Sequence, residues 1–466
     1  MNARELVWTM LSEINDRDVL SHVALAEAFA RNPLEGAERA LATRLLHGTL
    51  ERQMTIDAVL ERQTGRPVTK IKPKIRNLLR MSVYQMLYLQ RVPAAVACNE
   101  AVSLAKKRGL AGLAGFVNGT LRGLDRAVTA AGGQREYLLE VAETLTESER
   151  LGLLYSVPGW IPELWRKDFP KANVETMLQA FLEESGVGVR CNESRGTVEE
   201  LTEALAKEGA GPEPGILDNC LRLGGIGNPA SLAAYRDGRF SVQDTSAALA
   251  GNLLPLTKGM RVLDLCAAPG GKTVHAADRL AAAAAAAGLP AEGSYEVIAR
   301  DVSEEKLPAI REQIDRVKLP NVRLAAADAT VFDRTLEGWA DVVIADVPCS
   351  GLGVIGRKPD IKYKTKPEDI ASLAATQREI ARQAVRYVKP GGYLAYSTCT
   401  VARAENEDVA SFIASLGLEP VDLRDQLPAV IREACERQGG LDGIGVQVFP
   451  EPGLWDGFYI AGFRKK

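Results

Sequence analysis

The chain reads as an α/β protein built on a mostly parallel, doubly wound sheet, preceded by an all-helical domain and a small α+β domain. Three observations predict this. Short apolar runs alternate with helical stretches after about residue 241. Apolar residues recur at helical spacing from residue 3 to about 130, and helix and strand patterns mix between 145 and 240. The length of 466 residues also leaves room for two or three domains of the usual ~150 residues.

The helical part comes first. In IRNLLRMSVYQMLYLQ, residues Ile75, Leu78, Leu79, Val83, Met86 and Leu87 recur at helical spacing, which puts Arg76 and Arg80 on other faces. Pro67, Pro73 and Pro93 mark helix boundaries. Charge is uneven here: Arg62 to Arg126 holds thirteen Lys/Arg against two acids, Glu100 and Asp125, in a chain of net charge −3. A basic segment in an otherwise acidic chain suits a polyanionic partner, although solvated helix faces would give the same excess. Lys106, Lys107 and Arg108 stand together before a glycine-punctuated turn, a pattern suited to phosphate contact. AGGQREYL, residues 131–138, reads as a linker.

Between 145 and 240, VGVRCN (187–192) reads as a strand and Val198 to Lys207 as a helix. Beyond 241 the apolar runs are RVLDL (261–265), EVIARD (296–301), VRLAAAD (322–328), DVVIADV (341–347) and YLAYST (393–398). Helical stretches lie between most of them, which argues for parallel strands covered on both faces. Such sheets take their ligands at the carboxyl ends of the strands. The alanine run Ala281 to Ala287 reads as an extended exposed helix.

Composition removes several classes. With 46% hydrophobic and 25% charged residues the chain is neither disordered nor fibrous. Its longest apolar run, Leu280 to Leu289, is too short to cross a bilayer. MNARELVWTMLSEIND lacks the order of a signal peptide, so a cytoplasmic location is expected. Seven scattered cysteines without CxxC, and three histidines, His22, His47 and His275, fit neither a zinc site nor a disulfide framework. His275 reads as a helix residue rather than a catalytic base.

The chemistry gathers at the strand ends. DLCAAPGGKT (264–273) follows the first strand and opens a helix, and Gly270 and Gly271 let the backbone approach a ligand. It is neither GxGxxG nor GxxxxGK[ST], so the dinucleotide and nucleotide-triphosphate fingerprints fail. Asp301, Asp328 and Asp346 end the next three strands. One such acid is a commonplace cap, but three beside a glycine loop suit a ligand rich in hydroxyl and amino groups. Cys98, Cys191, Cys220 and Cys435 read as small buried hydrophobes. Cys349 in DVPCSGLG and Cys399 in YSTCTV differ, since each follows a strand at the functional edge. Nearness to Lys272 would favour a thiolate there.

Together these motifs resemble the S-adenosylmethionine-dependent RNA cytosine-C5 methyltransferases, and within them the bacterial 16S ribosomal RNA methyltransferase B (RsmB or Sun) family. IRNLLRMSVYQMLYLQRVP, NEAVSLAKK and GLAGFVNGTLR look like that family's NusB-like RNA-binding domain. FSVQDTSA looks like the segment leading into its catalytic domain, and DLCAAPGGKT, DVPCSGLGVIGRKPDIK, PGGYLAYSTCT and DGFYIAGF match its catalytic motifs in order. The resemblance implies a NusB-like domain over 1–135, a small RRM-like α+β domain over 145–240 and a Rossmann-like methyltransferase domain over 241–466. It implies S-adenosylmethionine bound by Cys266, Ala267, Ala268, Pro269, Gly270, Gly271, Lys272, Asp301, Asp328 and Asp346. Cys399 is implied as nucleophile and Cys349 in product release, with Asp346 and Lys272 assisting. RNA is the implied partner, specifically cytosine 967 of 16S ribosomal RNA, contacted by Arg76, Arg80, Lys106, Lys107 and Arg108; no membrane, metal or obligate protein partner is implied. The chain departs from the family at Lys306, at Gly356 and Lys358 in GVIGRKPDIK, at the alanine run and at Tyr459. The alternatives are the same chemistry on transfer RNA or another ribosomal site, and a non-catalytic RNA-binding factor. Amino-group methylation would expect an Asn/Asp-Pro-Pro-aromatic tetrapeptide where Asp346 to Cys349 stand.

Overall fold

A computed structural model describes residues 1–17, 19–183, 186–224 and 228–466. They divide into two units, Met1–Leu164 with Ile355–Lys364, and Trp165–Val354 with Thr365–Lys466.

The first unit is helical. Pro73 opens the helix Pro73–Tyr88, where a missing N–H costs nothing, and Pro93 precedes Ala94–Lys107. Ile75, Leu78, Leu79 and Val83 are almost fully buried, against Leu6, Met10 and Leu11 of Ala3–Arg17. Arg80 departs from expectation. It is 6% exposed, and its Nε and Nη2 donate to Asp57 at 2.7 and 2.6 Å. Apolar spacing cannot register a cation turned inward toward an acid on another helix. The expected linker at 131–138 is also helical from Gln134, in Gln134–Ala142. Tyr137 and Leu138 are buried there, and Gln63 Nε2 donates to the Tyr137 hydroxyl at 2.8 Å. Two glycines at positive φ, Gly132 and Gly133, make only the turn before it.

Residues Ile355–Lys364 complete this unit from far along the chain. The Tyr363 hydroxyl donates to Leu50 O, and Lys362 Nζ donates to Glu51 O, both at 2.8 Å. These carbonyls end the helix Gly36–Glu51, where backbone acceptors lack helical partners. Ser21 Oγ donates to Asp360 Oδ1 at 2.8 Å.

The second unit begins with a small antiparallel sheet of β1 (Val187–Cys191), β2 (Pro212–Pro214), β3 (Cys220–Leu223) and β4 (Phe240–Val242), in the order β2-β3-β1-β4. A fully buried pair, Arg190 Nη1 to Asp278 Oδ2 at 2.8 Å, joins it to the helix Gly271–Ala286. The larger sheet holds β5 (Arg261–Asp264), β6 (Glu296–Asp301), β7 (Val322–Ala326), β8 (Ala340–Asp346), β9 (Val388–Thr398), β10 (Leu418–Val421), β11 (Val446–Val448) and β12 (Phe458–Lys465). Its order is β10-β12-β9-β8-β5-β6-β7, with β11 also on β12. Strands β5 to β9 run parallel and β10 to β12 join antiparallel, which makes a Rossmann-like methyltransferase sheet. The chain passes to opposite sides of β5, so the switch point, where such sheets take ligands, lies at its carboxyl end. The alanine run is only partly exposed: Ala281 and Ala284 face the core because the helix Gly271–Ala286 packs over the sheet. Among the described residues no helix is long and apolar enough to cross a membrane.

Candidate active site at the carboxyl edge of the sheet

The loop after β5 is held from below. Ala267 N donates to Arg300 O at 2.8 Å and Ala268 N to Asp301 Oδ2 at 2.9 Å. Asp301 Oδ1 accepts from Ser303 N at 3.0 Å, so this strand-end carboxylate braces the loop through one oxygen and its own turn through the other. Gly270, at φ +109°, turns the chain into the helix Gly271–Ala286, which starts with no side-chain cap. The first N–H groups of a helix have no intrahelical acceptor, so an uncapped start of this kind suits an anion.

Four carboxylates surround this loop. Asp264 ends β5 fully buried; Thr273 Oγ1 donates to its Oδ2 at 2.6 Å, while Oδ1 has no hydrogen-bond partner. Burial pushes Asp264 up to about 7. Asp328 lies exposed two residues beyond β7, and its Oδ1 accepts from Thr330 N and Oγ1, which lowers its pKa. Cys266 feels all of them: burial first, then Asp264, Asp346, Asp301 and Asp328, push its thiol far up. Cys266 is therefore a neutral lining group, not a nucleophile. An uncapped helix start and an orphaned buried carboxylate oxygen fit a ligand that carries both a carboxylate and cationic or hydroxyl donors, as S-adenosylmethionine does.

Asp346 ends β8 and stands opposite Ser397 of β9 in register. Ser397 Oγ donates to its Oδ1 at 2.7 Å and Lys272 Nζ to its Oδ2 at 2.6 Å. Lys272 thus spends its ammonium on Asp346 and lies 4.8 Å from the Phe458 ring centroid. Lys272, expected near a thiol, pairs with Asp346 at this edge.

The two thiols come together from neighbouring strands. Cys349 Sγ lies 3.4 Å from Cys399 Sγ, and both residues are half-buried. Gly353 N donates to Cys399 O at 3.1 Å, and a Cβ on Gly353 would meet Gly457 O at 2.2 Å, so only glycine lets the two loops lie this close. The hydrogen bond to Cys399, burial and the nearby charges hold the Cys349 thiol well above its ordinary pKa. Cys98, Cys191, Cys220 and Cys435 are buried. Burial pushes Cys191, Cys220 and Cys435 up to about 12, consistent with inert packing groups.

Sequence reading missed a third group here. Glu405, fully buried, accepts from Ser350 N at 2.9 Å, from Ser350 Oγ and from Gln377 Nε2 at 3.0 Å. Nothing in TVARAEN marks it, because its partner lies 55 residues back. Asp264 carried a signal, another acid at a strand end. In the helical unit, Arg76 pairs with Asp16 at 3.2 Å, Lys107 and Arg108 turn toward Glu5, and Lys106 is exposed.

Comparison with known proteins agrees with this architecture. A family described as 16S rRNA methyltransferase RsmB/F matches residues 252–464, the NusB family matches 1–126, and an RsmF/B-like ferredoxin-like domain matches 157–227. Among solved structures, PH0851 superposes with a TM-score of 0.77 at 22% identity, covering 100% of this chain and 99% of that one. NSun6 from Pyrococcus horikoshii with SFG gives 0.56 at 21% identity, covering 67% of this chain and 99% of that one. The probable ribosomal RNA small subunit methyltransferase B of Bacillus subtilis (strain 168) is 34% identical, over 100% of this chain and 99% of its own. Its counterpart in Synechocystis sp. is 31% identical over 100% of both chains. With relatives 34% and 31% identical over the whole chain, the chain belongs to the S-adenosylmethionine-dependent ribosomal RNA small subunit methyltransferase B family.

Proposed function

We propose that the chain methylates C5 of a cytosine in 16S ribosomal RNA, with cytosine 967 as its target, through a covalent adduct on Cys399. The observation that carries this reading is the pair of thiols 3.4 Å apart beside the Lys272–Asp346 pair and the glycine loop. C5 of cytosine is too weakly nucleophilic to take a methyl group unaided. A thiolate adding to C6 pushes electrons to C5 and makes it an enamine-like nucleophile. Cys399, at the end of β9, is the attacker in this reading. Asp346 accepts from the exocyclic amino group, and Lys272, already at its side, donates to N3 as charge develops on the ring.

Cys266 to Lys272, Asp301, Asp328 and Asp346 would hold S-adenosylmethionine, which when bound supplies an electrophilic methyl group. After transfer, H5 leaves as a proton to a water base, and as its bonding pair restores the C5–C6 double bond the C6–S bond breaks, the sulfur of Cys399 departing with the C6–S pair as thiolate. Cys349, protonated and 3.4 Å from Cys399, assists that release. In DNA cytosine methyltransferases the Pro-Cys thiol attacks instead, which makes Cys349 the competing choice. The target base must leave any stack to reach the site. Residues 1–135 hold the RNA in this reading, chiefly through Lys106, Lys107, Arg108 and Arg76, with 145–240 as a smaller α+β part and 241–466 as the catalytic part.

Bisulfite sequencing of ribosomal and transfer RNA, from cells with and without the protein, tests the substrate. Loss of one 16S signal is expected, and loss in transfer RNA alone would overturn the target. For the mechanism, Cys349→Ala is expected to stay trapped on ordinary RNA as an adduct that survives denaturing electrophoresis. Trapping by Cys399→Ala instead would reverse the two roles.

A further inference from the structure

Glu405 belongs to no strand and stands six residues past Cys399, yet it is fully buried. Among the described residues it has no ion-pair partner, so its burial is offset only by hydrogen bonds. Three donors meet its two oxygens. Ser350 N and Gln377 Nε2 donate to Oε1 at 2.9 and 3.0 Å, and Ser350 Oγ donates to Oε2. Because the Ser350 proton is given to the carboxylate, Ser350 Oγ accepts from Thr400 Oγ1, 2.7 Å away. Gln377 Nε2 also donates to Pro348 O at 2.9 Å. Ser350 follows Cys349 and Thr400 follows Cys399.

We infer that Glu405 is a positioning residue for product release, tying the neighbours of both thiols to one buried carboxylate and so fixing the distance from Cys349 to Cys399. The inference rests on the two-thiol reading above. The attachment is lopsided. On the Cys349 side Glu405 grips the main chain and side chain of Ser350 directly, and Pro348 through Gln377. On the Cys399 side it acts through one hydroxyl, while β9 is already fixed in register, Ser397 against Asp346 of β8 and Thr398 against Tyr459 of β12. Loss of Glu405 should therefore free Cys349 far more than Cys399. A neutral glutamine cannot replace it fully, because every group facing it is a donor and only a carboxylate accepts at both oxygens. The Glu405 charge also helps hold the Cys349 thiol up, after its hydrogen bond to Cys399 and burial; Tyr396 also lies beside it, with Tyr459 and Arg378 acting on Tyr396.

The test uses the full chain with Glu405→Ala and Glu405→Gln, reading two quantities. The first is covalent capture of RNA containing 5-fluorocytosine, which reports attack and methyl transfer. The second is the lifetime of the adduct on ordinary RNA, which reports release. Capture is expected within about threefold of the unaltered protein, with release slowed about tenfold or more in Glu405→Ala and less in Glu405→Gln. Adding Glu405→Ala to Cys349→Ala should slow release no further, since the carboxylate acts through that thiol. In Glu405→Gln the pH profile of release should move to lower pH, because removing the negative charge lowers the Cys349 pKa. If Glu405→Ala does not fold, Ser350→Ala removes the hydroxyl link alone and should show the same split. Release at the unaltered rate, or capture and release falling together, overturns the inference. Capture surviving in Cys399→Ala would instead sink the two-thiol reading, whatever Glu405 does.

Discussion

Two ion pairs of equal length sit in unlike surroundings in this molecule. Arg80 and Asp57 meet at 2.6 Å between helices of the first unit, and Lys272 and Asp346 meet at 2.6 Å at the carboxyl edge of the sheet. Arg80 grips both oxygens of Asp57 with two nitrogens. Lys272 touches one oxygen of Asp346 while Ser397 takes the other, with the glycine loop close by. A planar fork on a carboxylate is rigid and holds helices together; a single flexible ammonium can pass its hydrogen bond to an arriving base. Distance alone does not tell a pair that joins helices from one that the proposed mechanism uses.

The largest expected effect lies on the chemical side. Cys399→Ala should lower methyl transfer by about four orders of magnitude or more and abolish capture of 5-fluorocytosine RNA, with the melting temperature unchanged. Retained turnover would take the attack away from Cys399 and point to Cys349 beside it. Next comes Arg80→Met, which takes the donors away from both oxygens of Asp57. It should cost about 2–4 kcal/mol in urea unfolding, yet leave the salt dependence of RNA binding as it was. A changed salt slope would make this pair an RNA contact after all. Asp346→Asn keeps the shape of the edge and should reduce methyl transfer about a hundredfold, with stability altered by about 1 kcal/mol or less. If it unfolds the protein instead, the contrast between the pairs collapses. The smallest effect belongs to Lys106→Gln, expected to lower the salt slope of RNA binding by about one unit.

Strand-end positions were legible in the sequence because a parallel sheet sends every βα turn to the same edge. Asp301, Asp346, Cys349 and Cys399 could be placed there from short apolar runs alone. Arg80 could not, since a helical pattern of apolar residues says nothing about which cation turns inward to an acid. The turn at 131–138 misled for a similar reason: two glycines hid the helix that buries Tyr137 and Leu138. Glu405, Gln377 and Ser397 were invisible because their work is done by hydrogen bonds 28 to 55 residues away in the chain. The occupation of Asp301 by its own loop was equally out of reach, as it depends on where backbone N–H groups point.

Lys362 offers a pH test of the helical unit. Burial, the first cause, lowers its amine to about 7, against an ordinary value near ~10.4 in the unfolded chain. Between those values the folded state binds fewer protons than the unfolded one. Stability of this unit should therefore rise from about pH 7 toward about pH 10, with the full cost of the buried charge present below 7. Urea midpoints across that range should flatten in Lys362→Met.

The same residue bears on how the protein is made. The helix Gly36–Glu51 is closed at its carboxyl end by Tyr363 and Lys362, more than 300 positions downstream. On the ribosome the amino-terminal helices emerge long before the segment that finishes them, so their last carbonyls wait in water until the Pro-Cys loop has been synthesised. A fragment cut at Leu164 would carry that unfinished end permanently, and removal of the first 130 residues would strand Ile355–Lys364 without its seat. The amino-terminal unit is not continuous in the chain, and the closing of this helix end waits on the translation of residues far downstream.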